Sequence, residues 1–166
     1  MLKKLNNISV RDANSIEVIK ELTGTIPNRN VDPVLIYDYT QHMPPKVDLK
    51  NYMIVYTYPN RITDPTEIKA IQSYAKSKGL QLISIGHYFP WCNKTIVPHP
   101  FEVLAYFRDA KCIVTDTFHG SVFSIKYNKL FCTIVRDMNS NKLTYLLEQF
   151  GLSSRIVNDL YRLPIM

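Results

Sequence analysis

The sequence is poor in the features that most quickly assign a chain of 166 residues to a functional class. It has three cysteines, Cys92, Cys112 and Cys132, and no C-x-x-C pair. Three well-separated thiols make no disulfide framework. With no paired cysteines and no His/Asp/Glu cluster at ligand spacing, no metal site is expected. Cys112 and Cys132 fall inside apolar, strand-like runs and read as buried free thiols. Only five glycines occur, in neither G-x-G-x-x-G nor a Walker loop, which excludes the common glycine-rich phosphate cradles. No apolar run reaches membrane-spanning length, and "MLKKLNNISV" carries two lysines without the apolar core of a signal peptide. The formal charge is +6, but the basic residues are scattered, with no run and no aromatic-interleaved stripe. Nucleic acid is therefore not the expected partner. A small anion or an acidic surface suits a dispersed excess.

What is present is alternation. Ile8 and Val10 alternate with polar neighbours as in a short strand. Asn14 or Ser15 can cap the helix that follows, and Gly24 ends it. "VDPVLIY" (31–37) reads as an extended run, and "DYTQHMPPKVDLK" as a loop. "NYMIVYTY" (51–58) is rich in β-branched and aromatic residues and predicts a strand. Asp64-Pro65 then opens a helix, with aspartate at the cap, proline in the first turn and glycine at the end. "LQLISIG" (80–86) is the next strand, "HYFPWCNKTIVPHP" (87–100) an irregular aromatic loop, and "PFEVLAYFRDA" (100–110) a helix. "CIVTD" and "LFCTIV" (130–135) are strands on either side of the helix "HGSVFSIKYN", and "NKLTYLLEQFG" is a last helix. Strands alternating with helices of this length imply βαβ units: a single α/β domain over residues 1–166, with a doubly wound parallel sheet.

The chemistry gathers at "IVTDTFHGSVFSI" (113–125), where a strand gives way to a helix. In open α/β sheets that carboxyl edge is where ligands bind. A helix start presents unpaired N–H groups and the positive end of the helix dipole, so an anion is its natural guest. Gly120 removes a side chain where a ligand's oxygens would approach. Thr117 and Ser121 bring hydroxyls, and Asp116 orients the imidazole or caps the helix. His119 is the nearby residue type that exchanges protons near neutral pH. The same residue types are also common helix caps, so both roles stay open from the residues alone. Arg136, Asn139, Ser140 and Lys142 follow the next strand at the same edge and are candidate substrate contacts. Phe89, Tyr88 and Trp91 suit either sugar stacking or local packing. His87 and His99 are weaker candidates, and His42 reads as a surface residue.

At these residues the sequence resembles the polysaccharide pyruvyl transferases. "AKCIVTDTFHGSVFSIKYNKLFCTI" is similar to their T-D-S-F-H-G-x-x-F-S signature. "ISVRDANSIEVIKELTG" with "VDPVLI" resembles the I-S-x-R-(D/E) and D-P-x-L-L segments, "PHPFEVLAYFRDAK" the helix before the signature, and "NKLTYLLEQFGLSSRIV" the closing element. The four stand in the family's order over residues 7–157. The resemblance implies a Rossmann-like, doubly wound sheet like the C-terminal domain of a GT-B-type fold. A missing N-terminal domain or a partner chain would complete it. It implies transfer of pyruvate from phosphoenolpyruvate, used as donor substrate with no separate cofactor, to a saccharide acceptor, lipid-linked or free. The expected setting is bacterial surface-polysaccharide assembly in the cytoplasm, peripheral to the inner face of the membrane.

By the same resemblance His119 is the catalytic acid and base, and Arg11, Thr117, Gly120 and Ser121 bind the donor's phosphate and carboxylate. Asp12 fixes Arg11 or caps a turn. Asp116, Arg136, Asn139, Ser140 and Lys142 are contacts to acceptor or donor. Two positions depart from the pattern: some branches have arginine where this chain has Thr117, and the closing element often has arginine where this chain has Lys142. Two other readings fit the same architecture. One is a GT-B-like glycosyltransferase domain binding a nucleotide sugar. The other is a non-catalytic half-domain that pairs with another chain.

Overall fold

The computed structural model describes residues 2–137 and 140–158. Its main body is a six-stranded sheet, every neighbouring pair of which is parallel. The strands are β3 (Tyr52–Tyr56), β4 (Gln81–Ile85), β5 (Lys94–Ile96), β6 (Cys112–Thr115), β7 (Leu130–Ile134) and β8 (Ile156–Val157), in spatial order β5-β4-β3-β6-β7-β8. Within this sheet the chain enters at β3, winds outward to β5, returns beside β3 at β6 and winds out the other way. This is the doubly wound order expected, and its switch point lies between β3 and β6. Both sheet faces are covered, so the central strands read as continuous apolar runs. Along β3, Met53 and Val55 face one layer with Ile71 and Ala75 of α3 (Pro65–Ser77). Ile54 faces the other, with Leu104 and Phe107 of α4 (Pro100–Asp109), Phe123 of α5 (Phe118–Lys126) and Leu147 of α6 (Ser140–Gln149). Alternation of successive side chains across the pleat produces both layers from one strand.

A smaller unit precedes the sheet. Strand β1 (Ser9–Val10) pairs in parallel with β2 (Asn28–Arg29), across the helix α1 (Ala13–Thr23). The cap of α1 is Asp12, whose carboxylate accepts the Ser15 N–H at 2.9 Å; the expected caps, Asn14 and Ser15, lie inside the helix. Residues 33–36 are not extended as expected. They form a short helix, α2 (Pro33–Ile36), because Asp32 accepts the Val34 N–H at 3.0 Å and Pro33 supplies a ready-made helical φ. The Lys126 ammonium donates to the Tyr37 carbonyl at 2.7 Å, which ties the end of α2 to α5. Three strands went unread. β2 falls between the stop of α1 and the presumed extended run, β5 lies within the presumed aromatic loop, and β8 follows the last helix; at two, three and two residues none carries a period-2 signal. The cysteine reading holds: all three thiols are free, and burial pushes Cys112 up to about 11 and Cys132 up to about 12. No described helix is long and apolar enough to cross a membrane.

Candidate functional site

The junction of β6 and α5 is a net of short polar contacts. The Thr115 hydroxyl donates to the Tyr56 carbonyl at 2.6 Å and accepts the Thr117 N–H at 3.0 Å, which pins the end of β6 to β3 at the switch point. Thr117 is the cap of α5, its Oγ1 accepting the Gly120 N–H at 2.9 Å. The Ser121 N–H bonds to the Thr117 carbonyl at 3.2 Å. Ser121 Oγ is fully buried and lies 2.9 Å from Thr133 Oγ1 on β7. The groups through which Thr117, Gly120 and Ser121 were expected to hold an anion are therefore engaged within the fold. Gly120 has a packing reason instead: a Cβ there would meet Thr115 Oγ1 at 2.1 Å. The first-turn donors that α5 does not consume are the N–H groups of Phe118 and His119.

Those two residues are the hinge of the site. The Arg11 guanidinium, at the end of β1, lies 5.3 Å over the Phe118 ring and makes an ion pair with Asp32. His119 stacks on Phe123 with ring centroids 5.9 Å apart, and its Nε2 lies 4.0 Å from Asp32 Oδ2. Three openings meet at Phe118. On one side is an open cleft of about 740 Å³ between α1 and α6, which Asp12, Asn14, Ser140 and Lys142 help to line. Beside it is a cavity of about 220 Å³ that Arg11, Arg29, Asp32 and Lys142 help to line. On the other side, at the switch point, is a second cavity of about 220 Å³, bordered by Tyr56, Thr57, Tyr58, His87, Pro98 and His119 among others. Cations gather in the smaller cavity on the first side, Arg11, Arg29 and Lys142 with Asp32, whereas the open cleft has Lys142 among Asp12, Glu17, Asp137 and Glu148. Among the described residues, none that lines the switch-point cavity is a lysine, arginine, aspartate or glutamate.

The remaining candidates separate. Arg136 turns to α3, where it donates to Glu67 at 2.7 Å. Asp116 is buried; desolvation raises its carboxyl above the usual range against the opposing effects of a Thr57 hydrogen bond and the charges of Arg61 and Arg136. Asp12 is partly desolvated, but its bonds to Ser15 and the charges of Lys142 and Arg11 hold its carboxyl below the usual range. Asn139 lies outside the described residues. Phe89 is buried in the α3 layer and Trp91, half-buried, stacks on it at 5.6 Å, whereas Tyr88 is exposed. His99 caps α4, its N–H donating to Glu102 at 2.9 Å.

The model of a known family, "Polysaccharide pyruvyl transferase", matches residues 1–138. The chain belongs to the polysaccharide pyruvyl transferase family. The match spans both Arg11 and the His119 signature, so the two sides of Phe118 lie within the family's shared segment. No curated protein matches the chain in sequence. Among solved structures it is similar to an O-GlcNAc transferase mutant from Thermobaculum terrenum, at 13% identity and a TM-score of 0.52. That match covers 96% of this chain and 36% of the other, so the chain spans little more than a third of that transferase's length. An uncharacterized protein from Corynebacterium glutamicum matches at 14% identity over 63% of this chain and 96% of its own, with a TM-score of 0.37. At such identity the first likeness is one of fold, and it accords with the doubly wound, GT-B-like half expected.

In this pyruvyl transferase family member, sequence reasoning missed Asp32. The signal was available in the Asp32-Pro33 pair, the same helix-opening dipeptide that was legible at Asp64-Pro65. Its proximity to Arg11 and His119 comes only from the docking of α2 on α5.

Proposed function

We propose that the chain is the donor-binding half of an enzyme that moves pyruvate from phosphoenolpyruvate to a saccharide, forming a cyclic ketal. The observation that carries this reading is the meeting of Arg11 and His119 at Phe118, with cation-lined space on one side and an uncharged cavity on the other. Phosphoenolpyruvate bears a phosphate and a carboxylate. Arg11 and Lys142 offer charge to it, Arg11 with a planar fork, and the Phe118 and His119 N–H groups add the start of α5. A saccharide suits the other side, where Tyr56, Thr57, Tyr58 and His87 present hydroxyls, a ring nitrogen and aromatic faces.

The chemistry then follows from position. One sugar hydroxyl adds to C2 of the donor while the C3 methylene takes a proton and becomes a methyl group. The C2–O bond to phosphate breaks, inorganic phosphate leaves, and a second hydroxyl adds to C2, loses its proton and closes the ketal. His119 lines the saccharide side, which supports assigning to it both the proton given to C3 and the proton taken from a hydroxyl. A second α/β half, attached or contributed by a partner chain, would close over the exposed side of this cleft. Release of inorganic phosphate that requires both phosphoenolpyruvate and a saccharide, with the ketal found in the product, tests the reading. Release of a nucleoside diphosphate from a nucleotide sugar, with its sugar found on the saccharide and no turnover of phosphoenolpyruvate, would overturn it.

A further inference from the structure

Asp32 is the least exposed member of the cluster. Its side chain is 2% exposed, against 48% for Arg11 and 54% for His119. A carboxylate so enclosed must be paired or hydrogen-bonded. Its two oxygens divide the work. Oδ1 accepts the Val34 N–H at 3.0 Å and caps α2. Oδ2 takes the Arg11 ion pair and lies 4.0 Å from His119 Nε2. One oxygen thus faces two groups from different parts of the fold, the end of β1 and the first turn of α5.

We propose that Asp32 is a positioning residue: it sets the Arg11 guanidinium and the His119 ring against each other and holds the neutral imidazole's proton on Nε2. The ring itself has little freedom, since it stacks on Phe123 and meets the edge of Phe118. With Nε2 turned to a carboxylate, Nδ1 becomes the nitrogen free to accept a proton. Arg11 spends part of its fork on Asp32 and keeps its other N–H donors for a ligand. A capping duty alone explains neither contact, because asparagine caps a helix as well as aspartate does and needs no charge. The anion that Arg11 would hold rests on the function proposed above; the state of the His119 ring does not.

The test is nitrogen NMR of the ring in the full chain, at a pH where the imidazole is neutral, for the native protein and Asp32→Asn. In the variant the amide oxygen stays on the Val34 N–H and an NH₂ replaces Oδ2, facing Arg11 and Nε2. The native ring is expected to carry its proton on Nε2. The variant should shift the tautomer ratio toward Nδ1–H by about twofold or more, the scale of a half-exposed charge contact at 4.0 Å and not of a hydrogen bond, with thermal stability kept by the cap. If Asp32→Asn does not fold, Asp32→Ser, which retains one capping oxygen, should lose the same bias. A folded variant with an unchanged ratio overturns the proposal. A shifted ratio in a chain that binds neither phosphoenolpyruvate nor phosphate would sink the proposed function and leave the placement of Asp32 standing.

Discussion

Gly120 rests against Thr115 so closely that a Cβ on it would stand 2.1 Å from Thr115 Oγ1 and 2.8 Å from Thr117 Oγ1. Thr115 cannot swing aside, because its hydroxyl is bonded to both the Tyr56 carbonyl and the Thr117 N–H. Alanine is the better helix former by about 1 kcal/mol, yet overpacking at such a contact costs about 1–3 kcal/mol. At 2.1 Å the contact falls in the upper part of that range, so Gly120→Ala should lower stability by about 1–2 kcal/mol net in denaturant unfolding. A neutral or stabilising result would show that the contact is loose and that the glycine has some other role.

Thr117 separates capping from ligand binding. Its Oγ1 is taken by the Gly120 N–H, so Thr117→Ala should cost about 1 kcal/mol, as helix caps do, and Thr117→Ser should restore most of it. Parallel melts of the three proteins check this. Failure of serine to rescue would point to packing of the Thr117 methyl group as the main contribution.

The buried Asp116 makes a pH prediction. Its carboxyl is raised above the ordinary 3.8, chiefly by desolvation. Between the unfolded and the folded value, the folded state holds more protons than the unfolded one, so this group's contribution to stability falls as pH rises through that window. Asp116→Asn removes the charged form. Its stability gain over the native chain should be largest at neutral pH and vanish below about pH 4. Melts across that range would show the gain growing with pH; a gain that instead grows toward acid would contradict the assignment.

Arg136 and Glu67 form a pair whose Glu67 side chain is 11% exposed. Arg136→Ala leaves that carboxylate short of its partner and should cost about 1–3 kcal/mol. Because Arg136 faces α3, binding of phosphoenolpyruvate should be unchanged in the variant. Calorimetry of the folded variant settles which side of β7 the arginine serves.

The legible and illegible parts of this sequence divide by range. Helices announced by local chemistry were readable, as at Asp64-Pro65, and so were strands with a continuous apolar run, such as that ending at Tyr56. The site edge was readable too, because a strand running into Thr115, Asp116 and His119 can only end at the sheet's carboxyl side. Unreadable were β2, β5 and β8, which are too short for a period and exist because a neighbouring strand offers a ladder. The roles of Thr117, Gly120 and Ser121 were likewise hidden, since a hydroxyl that binds a ligand and one that caps a helix have the same sequence. Asp32 could not be placed beside His119 without knowing that α2 docks on α5.

The central claim is that Arg11 and His119 hold a donor with two anionic groups. The most direct measurement is a calorimetric titration of phosphoenolpyruvate into the chain, with Arg11→Ala and His119→Ala beside it and a nucleotide sugar as control. Saturable binding of phosphoenolpyruvate, weakened roughly tenfold or more in Arg11→Ala, weakened also in His119→Ala and absent for the nucleotide sugar, is the predicted result. Binding of phosphoenolpyruvate that neither variant changes, or preferential binding of the nucleotide sugar, would contradict it.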